Sequence, residues 1–157
     1  MINTADESLL RRAIGIAAHA VTLGEAPYGS LLADPDGAIL AEAHNTVRRD
    51  NDITAHPELK LARWAARELD PDTAARTAMY TSCQPCTTCA GAIVRSGLSR
   101  VVYALSTEQL IEIHPQPGDR PAVTQDGPAL FDEARAPIDA YYRGWREGRA
   151  GASPPSQ

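Results

Sequence analysis

The first stretch of the chain has apolar residues at helical spacing. They recur every three or four positions over residues 5–23, at Leu9, Leu10, Ala13, Ile14, Ala17, Ala20 and Val21. This period predicts an amphipathic helix, which Gly24 would end. Two apolar runs follow at 28–34 and 38–44, and the turn Pro35-Asp36-Gly37 between them predicts a β-hairpin.

The middle of the chain alternates predicted helices and strands. Residues 56–69 and 86–97 have the apolar spacing of helices. Residues 78–82 and 100–106 are short runs rich in apolar or β-branched residues, which are typical of strands. The polar segment NTVRRDNDIT between the hairpin and the second helix is predicted to be a loop.

The last third of the chain has a weaker pattern. Prolines predict a loop over 113–121, and AVTQ at 122–125 is a candidate fifth strand. Residues 136–148 are predicted to form a terminal helix. The order of elements predicts an α/β sandwich around a mixed sheet. We expect one domain over residues 1–150 and a disordered tail over 151–157.

Composition narrows the class of protein. A chain of 157 residues with 43% hydrophobic and 22% charged residues is ordinary for one globular domain. The net charge of −5 opposes broad attraction to phosphate backbones, so no nucleic-acid partner is expected. Neither a signal peptide nor an 18-residue apolar stretch occurs, so we expect a cytoplasmic protein without a membrane span. Lysine occurs once, at Lys60, which looks like coding bias.

All three cysteines lie close together. Cys83, Cys86 and Cys89 fall within seven positions, in the segment TSCQPCTTC. In a reducing compartment, clustered cysteines bind metal or do chemistry more often than they form structural disulfides. The C-x-x-C spacing of Cys86 and Cys89 follows a predicted strand and opens a predicted helix. That motif alone is compatible with a redox dithiol, half of a structural zinc site, or two core thiols.

His56 and Glu58, at the start of the predicted helix 56–69, favour a metal site. Two thiolates and one imidazole make three protein ligands, the number in a catalytic zinc site whose fourth position stays open for water. Thiolates are stabilised at a helix N-terminus, and Cys86 and Cys89 at i and i+3 lie on one helical face. A carboxylate at position 58 could take a proton from the water.

These residues form a known signature. His56-x-Glu58 and Pro85-Cys86-x-x-Cys89 match the H-x-E…P-C-x-x-C pattern of zinc deaminases. The chain resembles the cytidine deaminase-like superfamily, above all its branch of guanine deaminases, tRNA adenosine deaminases and single-domain cytosine deaminases. Four segments resemble family motifs in the same order: GEAPYGSLLAD, ILAEAHNTV, TAHPELKLAR and TSCQPCTTCAGAI. The resemblance covers roughly residues 5–110.

The resemblance implies a three-layer α/β/α sandwich with a mixed five-stranded sheet, and a homodimer. It implies that His56, Cys86 and Cys89 bind Zn²⁺, that Glu58 transfers protons, and that Asn45 hydrogen-bonds the base. The implied reaction is hydrolysis of a C–N bond in a cyclic amidine, with release of ammonia. A free purine base or nucleoside is the expected substrate, with a guanine-type base favoured.

Several positions depart from the family pattern. Pro57 replaces the usual Ala, Gln84 the usual Glu, and Thr87-Thr88 the usual Pro-Met. The usual downstream Gly-Phe-Asp-Asp is missing, and IEIHPQPGD stands there instead. The resemblance implies an acidic residue near this region that binds guanine, for which Glu108 and Glu112 are candidates. His114 lies in a predicted loop that could cover the site. Cys83 is expected to be a small buried residue near the pocket.

Other functions remain open at this point. A deaminase of cytosine, cytidine or a specialised nucleoside is the first alternative. A tRNA adenosine deaminase is less favoured, because tRNA binding usually needs a basic surface. A zinc-stabilised binding protein without catalysis, or a thiol redox protein, would belong to another class.

Overall fold

The structure is a computed structural model that describes residues 2–114 and 123–148, with side chains up to residue 143. Contacts divide the chain into two units, Met1–Gln116 and Pro117–Gln157, which are described separately. A single domain over 1–150 stays a prediction. The predicted tail over 151–157 lies outside the described residues.

The first unit holds a mixed four-stranded sheet. Its elements in chain order are α1 (Thr4–Thr22), β1 (Gly29–Ala33), β2 (Ile39–His44), α2 (Val47–Asp50), α3 (Pro57–Glu68), α4 (Pro71–Arg76), β3 (Ala78–Cys83), α5 (Thr87–Arg95), β4 (Arg100–Leu105) and α6 (Thr107–Ile113). The strand order is β2-β1-β3-β4. β1 is antiparallel to both of its neighbours, whereas β3 and β4 are parallel. The predicted α/β fold with a mixed sheet is confirmed.

The prediction of a fifth strand was wrong. Residues 123–125 have no regular secondary structure, and residue 122 lies outside the described residues. The apolar part of AVTQ is short, and it stands between Pro121 and Gly127-Pro128. Proline cannot donate a hydrogen bond to a neighbouring strand, so this flanking sequence opposes pairing.

Side chains of the two central strands alternate between two helical layers. Leu31 and Ala33 pack with residues of α1, whereas Leu32 and Met79 pack with residues of α3 and α5. β1 and β3 are buried at every position, as expected for strands covered on both faces. The first unit is therefore a three-layer arrangement with α1 on one face and α3 and α5 on the other.

Short helices stand where the sequence pattern predicted breaks. Asp70-Pro71 ends α3 as predicted, but it also starts α4. The Asp70 side chain accepts hydrogen bonds from the backbone N–H groups of Asp72 and Thr73, both at 3.0 Å. Proline at the first helical position needs no N–H partner. Helices of one or two turns such as α2, α4 and α6 are too short to show a period in the sequence.

The second unit contains α7 (Phe131–Gly148), which begins earlier than the predicted residue 136. Proline is common in the first turn of a helix and unfavourable in its interior, so a helix that starts near Pro137 would fit the sequence. In the structure Pro137 lies inside α7, and an ion pair of 2.7 Å between Arg135 and Asp139 spans it. None of the helices in the described residues has the length and hydropathy required to cross a bilayer.

Helix α1 contacts the backbone of β1 at Gly29. A Cβ atom built at Gly29 would lie 2.7 Å from the Ala13 carbonyl oxygen and closer still to the Ala17 nitrogen. We expect Gly29→Ala to lower the free energy of unfolding by about 1–3 kcal/mol, because a well-packed contact must open. At Gly15 of α1, an added Cβ atom would have no heavy atom within 4 Å. We therefore expect Gly15→Ala to raise the free energy of unfolding by about 0.5–1 kcal/mol, because alanine is favoured over glycine inside a helix. Urea unfolding of both variants tests this, and equal effects would contradict the close contact.

The start of α1 is tied to the sheet by a buried carboxylate. Asp6 is 2% exposed, and it accepts hydrogen bonds from the Tyr80 hydroxyl at 2.7 Å and from Arg100 at 2.8 and 2.9 Å. The Arg100 guanidinium, the Asn3 backbone N–H and the Tyr80 hydroxyl hold the pKa of Asp6 well below its usual value of 3.8, against the opposing effect of burial. The carboxylate therefore stabilises the fold above about pH 4, and this stability is lost as the pH falls through the folded-state pKa.

We expect Asp6→Asn to lower the free energy of unfolding at pH 7 by about 2–3 kcal/mol, because charge-assisted hydrogen bonds are lost. The variant should also lose less stability than the wild type between pH 5 and pH 3. Glu7→Gln is the matched control, since Glu7 makes only an exposed ion pair with Arg11. Denaturant unfolding across this pH range measures the effect, and parallel pH curves for Asp6→Asn and wild type would refute it.

Candidate metal and catalytic site

Two helix N-termini meet beside the end of β3. His56 is the N-cap residue of α3, and Cys86 is the N-cap residue of α5, with Cys89 in its first turn. Neither N-cap side chain makes a capping hydrogen bond to the backbone of its helix, so neither donor atom is used for capping. The positive ends of both helix dipoles favour anionic groups at this point. The chain places its candidate ligands here because β3 leads directly into α5.

The three donor atoms have the spacing of a metal site. The His56, Cys86 and Cys89 donor atoms all lie within 4.8 Å of one another, and this is the only such group of three or more in the described residues. His56 Nδ1 is 3.5 Å from Cys89 Sγ and 3.8 Å from Cys86 Sγ. Tetrahedral zinc, with Zn–S of about 2.3 Å and Zn–N of about 2.0 Å, separates sulfur and nitrogen ligands by about 3.5 Å. The residues therefore fit a zinc ion.

Burial differs across the three donors. Cys89 is buried and His56 is half-buried, whereas Cys86 is exposed. Burial raises the pKa of the Cys89 thiol, and the Glu58 carboxylate adds to this effect. The donor set thus has one open side and lies near Glu58.

Glu58 is held by a chain of hydroxyl groups from the centre of the sheet. The Ser30 hydroxyl donates to Thr81 Oγ1 at 2.8 Å, and the Thr81 hydroxyl donates to Glu58 Oε1 at 2.9 Å. Ser30 and Thr81 are fully buried, and Glu58 is 5% exposed. Among the described residues, no hydrogen bond is made to the other carboxylate oxygen, Oε2. Thr81 therefore holds one oxygen of the carboxylate in place.

Asn45 directly follows β2, and the oxygen and the nitrogen of its side-chain amide have different surroundings. Its Oδ1 accepts a hydrogen bond from the Val47 N–H at 3.1 Å, the turn arrangement common for asparagine. No hydrogen bond of the described residues uses Nδ2, yet no buried side-chain nitrogen or oxygen among them lacks a partner. The Nδ2 group therefore reaches a surface, although Asn45 as a whole is only 3% exposed. It can donate to a ligand.

Three residues near Glu58 were not predicted as site residues from the sequence: Ser30, Thr81 and Tyr28. Thr81 and Ser30 are ordinary strand residues in sequence, and only the pairing of β1 with β3 brings them together. Tyr28 is half-buried, and its pKa is raised by burial and by the nearby Cys83 and Glu58. Tyr28 therefore lies near Glu58, and the family-like segment GEAPYGSLLAD, which contains Tyr28, was the available signal for it.

The positions that depart from the family pattern, together with Cys83, have different surroundings. Gln84 accepts a hydrogen bond from the Thr107 N–H at 3.1 Å, which joins it to the start of α6. Thr87 and Thr88 are exposed in the first turn of α5. Cys83 is buried, and burial raises the pKa of its thiol.

The two candidate acidic residues and the histidine that follow β4 lie on α6 or at its end. Glu108, Glu112 and His114 are all exposed. The backbone N–H groups at the helix start and Ser106 lower the pKa of Glu108, as expected for an acidic residue in a first turn. No hydrogen bond or ion pair of the described residues joins any of the three to the donor set.

Comparison with known proteins identifies the family. Residues 3–105 match the model of the cytidine and deoxycytidylate deaminase zinc-binding region. The chain belongs to this zinc-binding deaminase family. It is therefore a hydrolase that acts on C–N bonds of cyclic amidines, and zinc is its cofactor.

Individual relatives of this deaminase differ in their substrates. A probable cytosine deaminase of Schizosaccharomyces pombe is 31% identical over 90% of this chain and 94% of its own. Guanine deaminase of Bacillus subtilis is 39% identical over 62% of this chain and 63% of its own. Its X-ray structure superposes with a TM-score of 0.71 over 96% of this chain and 98% of that chain, at 28% identity. A tRNA-specific adenosine deaminase of Haemophilus influenzae is 36% identical over 64% of this chain and 58% of its own.

We expect Cys86→Ala to abolish stoichiometric zinc binding, because two remaining ligands cannot complete the donor set. Cys83→Ala is the matched control, since it removes a thiol three positions away that lies outside the donor set. Metal analysis of the purified proteins should give about one zinc per chain for wild type and Cys83→Ala, the stoichiometry of a three-ligand site. Full zinc content in Cys86→Ala, or loss in Cys83→Ala, would require another ligand set.

Proposed function

We propose that the protein is a hydrolytic deaminase of a free purine base or purine nucleoside, with a guanine-type base favoured. The superposition with guanine deaminase along almost the whole of both chains is the observation that carries this proposal. The guanine deaminase sequence also has the highest identity among the relatives above. The segment TSCQPCTTC supports it through the resemblance of its TSCxPCxxC pattern to that enzyme group.

The proposed roles follow from the geometry of the donor set and its neighbours. His56, Cys86 and Cys89 hold the zinc ion. Bound zinc supplies Lewis acidity that lowers the pKa of a water molecule to near neutrality. The exposed side of the donor set, at Cys86, is where substrate and water enter.

Glu58 transfers the protons of the reaction. Its carboxylate accepts a proton from the attacking water as the oxygen bonds to the ring carbon that carries the amine. It returns a proton to the adjacent ring nitrogen, takes the second proton of the water oxygen, and delivers it to the amine, which leaves as ammonia. Thr81 holds one oxygen of the carboxylate by a hydrogen bond of 2.9 Å, so the group keeps its direction through both transfers. The net change exchanges an amino group for a carbonyl oxygen.

Asn45 orients the substrate in this proposal. Its Nδ2 group is free of hydrogen bonds within the described residues and can donate to a ring nitrogen or carbonyl acceptor. Because Oδ1 is bonded to the Val47 N–H, the amide presents its donor side. The half-buried Tyr28 near Glu58 offers an apolar ring against which a planar base can pack.

A second candidate is a deaminase of cytosine. The match to the probable cytosine deaminase covers 90% of this chain and 94% of that one, which favours it over nucleoside alternatives. A tRNA substrate is less favoured, because the net charge of −5 opposes binding to a polyanion. The homodimer and the cytoplasmic location stay predictions.

Ammonia release distinguishes these substrates. We expect the zinc-loaded protein to deaminate guanine with a kcat/KM at least about tenfold above that for cytosine, adenine and the corresponding nucleosides, a difference of about 1.4 kcal/mol. Glu58→Gln should keep zinc and lose at least about 100-fold in kcat, the usual contribution of a general acid–base group.

Glu68→Gln is the matched control, since Glu68 is an exposed residue at the other end of α3. It should behave as wild type. A higher kcat/KM for cytosine than for guanine would assign cytosine as the substrate instead. Full activity of Glu58→Gln would refute the mechanism.

A further inference from the structure

Lys60, the single lysine of the chain, reaches the segment that carries Asn45. Its Nζ donates a hydrogen bond to the His44 carbonyl oxygen at 2.9 Å and a second to Thr46 Oγ1. These two acceptors stand on either side of Asn45 in sequence. The ammonium group thus bridges the end of β2 and the residue that follows Asn45.

The bridge is part of a partly buried hydrogen-bond network. Thr46 is 2% exposed, and its hydroxyl donates to Asp50 Oδ2 at 2.6 Å. The single hydroxyl proton is used in that bond, so the oxygen can only accept from Lys60. A lysine ammonium suits this position because it is a compact charge with three donors and no acceptor.

Backbone hydrogen bonds also hold the segment 44–46 in place. The Asn45 N–H donates to the Tyr28 carbonyl at 3.0 Å, and the Thr46 N–H donates to the Ala55 carbonyl at 3.1 Å. Neither bond connects the segment to α3. Lys60 makes that connection from the helix that also carries Glu58.

Glu58 and Lys60 lie in the same turn of α3, but their side chains contact different parts of the protein. Lys60 and Glu58 are two positions apart, so their side chains leave the helix in different directions. Glu58 points to Thr81 on β3, whereas Lys60 points to the segment 44–46. The Lys60 N–H also bonds to the His56 carbonyl at 3.1 Å, which places it in the turn that begins at the candidate metal ligand.

We propose that Lys60 is a positioning residue that fixes the Asn45 amide relative to Glu58 and thereby sets the affinity for the base. The proposal rests on the proposed function, which gives Asn45 its contact with substrate. Lys60 itself does not touch the base. It holds the backbone on both sides of Asn45, and the amide direction follows from that backbone.

The test is Lys60→Met, which keeps the length of the side chain and removes its charge and donors. With guanine as substrate and zinc-loaded protein, KM should rise at least about tenfold, whereas kcat should change by less than about threefold. Arg67→Met on the same helix is the matched control, because Arg67 is an exposed cation far along α3. An unchanged KM in Lys60→Met, or a fall in zinc content and thermal stability without a rise in KM, would overturn the proposal.

A double-mutant cycle shows whether Lys60 acts through Asn45. Asn45→Ala removes the amide, so adding Lys60→Met to it should raise KM by less than about twofold, since the two changes remove one shared interaction. Independent effects that multiply would overturn the proposed link between the two residues.

Amide hydrogen exchange provides a readout that needs no turnover. Exchange at residues 45–47 should be at least about tenfold faster in Lys60→Met than in wild type or Arg67→Met, because the segment opens locally. If wild type deaminates none of the bases, the proposed function fails while this measurement still tests the bridge. Unchanged exchange would refute the bridge even in an active enzyme.

Discussion

The hydrogen bond from Thr81 to Glu58 joins the candidate active site to the most buried part of the sheet. Thr81 lies on β3, which is buried at every position. The Ser30 hydroxyl of β1 donates a hydrogen bond to the Thr81 hydroxyl oxygen, and the Thr81 hydroxyl donates to Glu58. A carboxylate that is 5% exposed must have partners, because an unpaired buried charge is strongly unfavourable. The pairing of β1 with β3 therefore fixes the direction of Glu58 before any ligand is considered.

The same strand also positions the candidate metal ligands. β3 ends at Cys83, and three residues later α5 starts with Cys86 as its N-cap. Packing of α3 against α5, through residues such as Leu61 and Ile93, brings His56 to the two thiols. The donor set is thus a consequence of helix packing on one face of the sheet, whereas α1 packs on the other face through contacts such as that at Gly29.

The sequence alone predicted much of this arrangement. Long periodic segments gave α1 and α3, and the alternation of strands and helices gave the mixed sheet. The fifth strand was wrong because four residues next to prolines and a glycine have too little pattern to decide pairing. Of the five predicted site residues, the structure brings His56, Cys86 and Cys89 together, sets Glu58 beside them, and leaves the Asn45 amide with a free donor. Their roles stay predictions.

Contacts that depend on tertiary structure were not predictable from motifs. Lys60 is conspicuous in sequence only as a rare residue type, and its partners are a backbone carbonyl 16 positions away and a hydroxyl 14 positions away. Such acceptors leave no trace in a sequence pattern. The same holds for Ser30 and Thr81, which are separated by 51 positions and meet only through strand pairing.

Pro57 shows how a departure from the family pattern can fit the site. It is the first residue of α3, between His56 and Glu58, and it is fully buried. The first helical position needs no N–H donor, so proline removes no hydrogen bond there. Its ring fixes φ near −65°, roughly the value that a helix requires. Proline therefore restricts the backbone between the candidate metal ligand and the candidate proton-transfer group, so that the direction of each side chain depends on the other.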